Sequence, residues 1–148
     1  MWREGFDLNL LAWILNALAL AFGALLGFRA LVDPKWAARL VRLKEDEQGG
    51  GFAEFRATYG GLFLLAHLAA LFFSLNWIAE GETAIGMYAA GASAVLCAAW
   101  IGAAGGRLWS CASDATLTRF NLISAAVEVI VGVLIGAPWL FWNFRAPG

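Results

Sequence analysis

Four stretches of this sequence run for more than twenty residues with at most one Asp, Glu, Lys or Arg in each. Leu8 to Phe28 gives 21 uncharged residues, Ala57 to Ala79 gives 23 and Thr83 to Gly106 gives 24. Phe120 to Phe144 gives 25, interrupted only by Glu128. About 20 residues suffice for a helix to cross a ~30 Å hydrocarbon core. The chain is therefore expected to be an all-α integral membrane four-helix bundle, one domain over 1–148, with spans at about 8–32, 57–79, 83–105 and 118–142.

Composition agrees. The chain is 61% hydrophobic and only 14% charged, against roughly 25% charged in soluble domains. Ten Lys plus Arg against eleven Asp plus Glu exclude a basic nucleic-acid binder and an acidic disordered chain alike. Cys97 and Cys111 form no repeated spacing, so no disulfide framework or Cys-based zinc site is expected. The first run is expected to be a permanent anchor rather than a cleaved signal. Arg3 is offset by Glu4 and Asp7, the apolar run is too long, and no small-x-small site follows it.

Basic residues near span ends stay on the cytoplasmic side. With four spans, one side holds Arg3 and Arg145, and the other holds Arg29, Lys35, Arg39, Arg42, Lys44, Arg56, Arg107 and Arg119. This asymmetry predicts a bacterial inner-membrane protein with both termini in the periplasm. Trp2, Trp13, Trp77, Trp139 and Trp142 fall toward the outer interface, and Trp36, Tyr59 and Trp109 toward the inner one, as aromatic belts do.

The first loop contains a short amphipathic helix, expected at about 34–44. Asp33 can cap it with Pro34 at its first position, and Trp36, Leu40 and Leu43 recur at helical spacing between Lys35, Arg39, Arg42 and Lys44. Such a helix lies on the inner leaflet with its basic face on anionic headgroups, or it is a solvated basic helix with no lipid preference. The run 45–51, EDEQGGG, is expected to be a flexible break.

Helices in lipid associate through close backbone approach, which favours small residues on the touching face. Gly86, Ala90, Ala94, Ala98, Gly102 and Gly106 recur every four residues in the third span, predicting a partner along its full height. Gly23 and Gly27 mark the first span. Gly132 and Gly136 continue the line of Ser124 and Glu128 in the fourth.

Glu128 is the one charge inside a span, and such a carboxylate normally faces the bundle interior and finds a partner. Counted from the nearest basic residue at 1.5 Å per residue, His67 lies about 16 Å deep, Glu128 about 14 Å, Cys97 about 15 Å and Asn16 about 20 Å. A network of Asn16, His67, Ser124 and Glu128 is expected, with Asn121 extending its polar line toward the cytoplasm. It would serve either as a proton-titrating ligand or transport site or as a polar clasp fixing helix register. A single His, with Met87 near a span end, gives no axial pair for a haem and only a thin zinc site. No metal and no cofactor is expected, and no nucleophile-base arrangement or phosphate loop is readable.

Glu54 to Gly61 reads EFRATYGG, an Arg, two residues and Tyr-Gly-Gly opening the second span. Gly106, Arg107, Ser110 and Asp114 precede the fourth span, and Glu128 lies within it. In these motifs the chain resembles a bacterial family of small four-helix membrane proteins known only as a domain of unknown function. The resemblance covers the second to fourth spans and implies a multi-pass inner-membrane location, with Arg56, Tyr59, Gly60, Gly61, Arg107, Asp114 and Glu128 as its positions. Ala115 departs from the Gly of that pattern. Physically, Arg56, Tyr59, Arg107 and Asp114 form a cytoplasmic-interface cluster in which Asp114 pairs with Arg56 or Arg107, or in which the basic residues snorkel to phosphates.

The expected function is a non-enzymatic accessory or scaffold subunit, acting as a homo-oligomer or with a protein partner in a larger membrane complex, with lipids but no nucleic acid as further partners. The alternative is a small transporter or binder of a lipophilic or cationic ligand at Glu128 and His67. An enzyme acting on lipids through the interface cluster ranks third.

Overall fold

The computed structural model describes residues 8–44 and 50–144, with 140–144 described through their backbone alone. Trp2, Arg3, Arg145, the 45–49 part of the expected break and the Trp142 side chain lie outside the described residues. Five helices follow one another: α1 (Leu8–Val32), α2 (Pro34–Val41), α3 (Gly50–Glu80), α4 (Thr83–Ser113) and α5 (Arg119–Phe144). No strand occurs among the described residues. All but α2 are long and apolar enough to cross a membrane, and their exposed surfaces carry Leu18, Leu25, Leu65, Phe72, Val95 and Ile130.

Two of the long helices run well beyond their expected spans. The helix containing the second run starts at Gly50, so Gly50 and Gly51 belong to α3 rather than to a break, and its segment Phe55–Leu62 is π-helical. The wider turn takes in Arg56, Tyr59, Gly60 and Gly61. Helix α4 continues to Ser113, two turns past the last residue of its uncharged run.

The chain divides into two compact units, Leu20–Phe72 and the remainder. Within Leu20–Phe72, α1 and α3 run against each other through their glycines. A Cβ on Gly27 would stand 2.5 Å from the Leu64 amide nitrogen, one on Gly60 would stand 2.8 Å from the Leu31 Cα, and one on Gly23 would enter the His67 ring. These positions bring the two backbones close, as small residues do in membrane helices. Helix α2 starts as its sequence dictates: Asp33 Oδ1 accepts from the Trp36 amide at 3.0 Å and Pro34 occupies the first turn. It stops at Val41, short of the expected end, because Arg42 turns left-handed at φ 61°. Ala30, Ala37 and Phe55 form the apolar core beneath it.

In the other unit, α3 ends where Gly81 takes φ +68° and its amide bonds back to the Trp77 carbonyl at 3.0 Å, a left-handed C-cap that Gly adopts without steric cost. Trp13 is 1% exposed and its ring lies 6.0 Å from that of Trp77, so it belongs to the core rather than to an aromatic belt. Its indole N–H is enclosed without a partner among the described residues, so what Trp13 contributes is buried area. Trp109, by contrast, is 76% exposed.

Helices α4 and α5 pack along one another. A Cβ on Gly136 would meet Cys97 Sγ at 2.7 Å, and one on Gly132 would meet Ile101 Cδ1 at 2.9 Å. The buried face of α4 is Gly86, Ala89, Ser93 and Ala104, not the expected every-fourth stripe. Residues four apart advance about 400° around a helix, so five such steps carry Gly106 about 200° away from Gly86. The stripe therefore begins buried at Gly86, beneath Trp77, and ends exposed at Gly102 and Gly106.

Candidate functional site

Glu128, the one charge within the last apolar run, is held by arginine. Arg107 on α4 donates from Nε to both Glu128 oxygens, at 3.2 and 3.1 Å, and from Nη2 to Oε1 at 2.6 Å. The Glu128 side chain is 12% exposed and that of Arg107 31%. Three hydrogen bonds from one guanidinium satisfy much of the carboxylate, the geometry in which an ion pair is strongest. The two charges of the pair cancel, and within a bilayer an isolated charge would be expensive.

A second polar cluster joins four helices. Asn16 of α1 donates from Nδ2 to Ser93 Oγ of α4 at 2.9 Å and to the Ile135 carbonyl of α5 at 2.6 Å. Ser74 of α3 donates to Asn16 Oδ1 at 2.8 Å. Asn16, Ser74 and Ser93 are fully buried. The carbonyl that Asn16 reaches is next to that of Leu134, the acceptor left without its helical donor by Pro138, which has no N–H.

His67 lies in the other unit, fully buried. Its Nδ1 is 2.7 Å from the Phe63 carbonyl; a carbonyl only accepts, so Nδ1 carries a proton, and the Nε2 edge of the ring lies against Gly23. The Phe63 ring lies 4.2 Å away. The site residues expected together are thus found in separate settings: Asn16 with Ser74 and Ser93, Glu128 with Arg107, His67 with Phe63 and Gly23. Ser124 is half-buried one turn from Glu128, and Asn121 turns into the preceding loop, donating to the Thr116 carbonyl at 2.7 Å.

The residues expected at the cytoplasmic interface also have individual tasks. Arg56 Nε donates to the Leu31 carbonyl at 3.2 Å, satisfying one of the acceptors that the end of α1 leaves open. Tyr59 stacks on Phe55, one helical turn before it, at 5.6 Å. Asp114 ends α4, its amide bonding to the Ser110 carbonyl at 2.9 Å. Ala115 then takes φ 55°, so the tight turn forms although the residue is not Gly. Ser110 and Thr116 hydroxyls meet across it at 3.1 Å, and Thr118 caps α5 through the Asn121 amide.

Sequence reasoning missed Ser74, Ser93 and the role of Arg107. Ser93 had a signal, being the polar residue in mid-span among Ala and Gly. No family model, curated protein or solved structure matches the chain.

Proposed function

We propose that this chain is a non-enzymatic, multi-pass protein of a bacterial inner membrane, an accessory or scaffold subunit that docks on a further membrane helix through α4. The observation that carries this reading is an open glycine face. A Cβ built on Gly91, Gly102, Gly105 or Gly106 meets no described atom within 4 Å, whereas those on Gly86, Gly132 and Gly136 meet a neighbouring side chain. Lipid tails pack on Leu as well as on Gly, but only small residues let a second helix backbone approach closely.

The engagement of Glu128 by Arg107 supports the clasp rather than the transport reading of the carboxylate, since a ligand would have to displace a three-bonded guanidinium. With Arg107 assigned to this pair, seven basic residues against two still favour periplasmic termini. The resemblance in the Tyr-Gly-Gly and Gly-Arg motifs supports the same location.

Native mass spectrometry of protein gently extracted from its own membrane tests the proposal. Co-purifying subunits at a fixed ratio, or a homo-oligomer, are expected. A lone monomer carrying a small bound mass that Glu128→Gln removes would overturn it in favour of a ligand-binding protein.

A further inference from the structure

Helix α2 and the start of α3 enclose an open depression of about 620 Å³, lined by Lys35, Arg39, Arg42 and Lys44 with Ala38, Leu43 and Phe52. All four basic side chains are exposed, and the Lys35 ammonium lies 5.9 Å from the Phe52 ring centre. We propose that this depression binds the phosphate headgroup of an anionic phospholipid. The site is independent of the α4 docking face.

Three features carry the proposal. Four cations converge on one concavity, whose size falls in the roughly 300–1,000 Å³ range of ligand sites, and basic pockets beside membrane helices select polyanionic headgroups. The wall is partly apolar, and Leu40 and Leu43 stand exposed beside it, giving acyl chains a surface that a free phosphate does not need. Its position is set by the fold: Asp33 alone separates α2 from α1, so the depression lies at the end of a helix long enough to span the membrane.

The test titrates delipidated full-length protein in neutral detergent with phosphatidylglycerol, phosphatidylcholine or inorganic phosphate, counting bound molecules by native mass spectrometry. Arg42 is kept, because its left-handed backbone ends α2. The wild type is expected to retain phosphatidylglycerol over phosphatidylcholine. The triple variant Lys35→Gln, Arg39→Gln, Lys44→Gln is expected to retain it about a hundredfold more weakly, each basic residue near an anionic surface contributing roughly fivefold. Exchanging the same positions between Lys and Arg keeps the charge and is expected to keep binding, which separates lost charge from lost folding. Equal retention of the two lipids, undiminished binding in the triple variant, or displacement by inorganic phosphate at the lipid's own concentration would each overturn the assignment.

Discussion

Arg107 closes on Glu128 with three hydrogen bonds, the shortest 2.6 Å, and α4 runs on for two further turns before ending at Ser113. The arginine therefore sits about 9 Å inside the helix end, opposite a carboxylate nine residues into α5. Each charge makes the other tolerable, and α4 and α5 are fixed in register by the pair.

Removing one partner leaves the other, an enclosed Glu128 or a half-buried Arg107, without its counter-charge, a loss of about 3 kcal/mol. Glu128→Gln and Arg107→Gln are each expected to destabilise the protein by about that amount, and the double variant by less than the two together. Reversible unfolding in bicelles across the double-mutant cycle gives the coupling; strict additivity would mean that the pair contributes nothing as a pair.

Asn16 links α1 to α3, α4 and α5 through three bonds. Hydrogen bonds between membrane helices average about 0.6 kcal/mol each, so Asn16→Ala is expected to lose about 2 kcal/mol. Ser74→Ala and Ser93→Ala, each breaking one bond, should lose less than half as much. Equal losses for all three would show that burial rather than the bonds sets the effect.

Ala115 holds a left-handed backbone at φ 55°, a conformation costing an L-residue with a Cβ roughly 1 kcal/mol relative to Gly. Ala115→Gly is therefore expected to raise stability by up to about 1 kcal/mol, visible as a higher midpoint of thermal unfolding. A lower midpoint would mean that the added freedom of the unfolded chain outweighs the relieved strain.

The long helices were legible because uncharged runs of this length leave little choice, and the Asp33–Pro34 start of α2 because capping is local chemistry. The polar partners were not legible. Treating each basic residue as the end of a span put Arg107 at the interface, and only the continuation of α4 to Ser113 brings it level with Glu128. The stripe on α4 was followed by sequence spacing, which winds around the helix, so its second half came out on the opposite face from its first. Ser74, Ser93 and the Ile135 carbonyl meet Asn16 through tertiary register, which one-dimensional depth counting does not resolve.

The proposed docking face of α4 is its run of open glycines. A Cβ at Gly102 has no neighbouring side chain within 4 Å, whereas one at Gly132 stands 2.9 Å from Ile101 Cδ1 and 3.2 Å from Trp100 Cβ. Native mass spectrometry of Gly102→Leu and Gly132→Leu, extracted alongside the wild type, tests this most directly. Gly102→Leu is expected to keep the wild-type unfolding midpoint but to lose its partner or its oligomer, while Gly132→Leu is expected to lose stability. A wild type already monomeric, or a Gly102→Leu variant that assembles unchanged, would contradict the proposed docking.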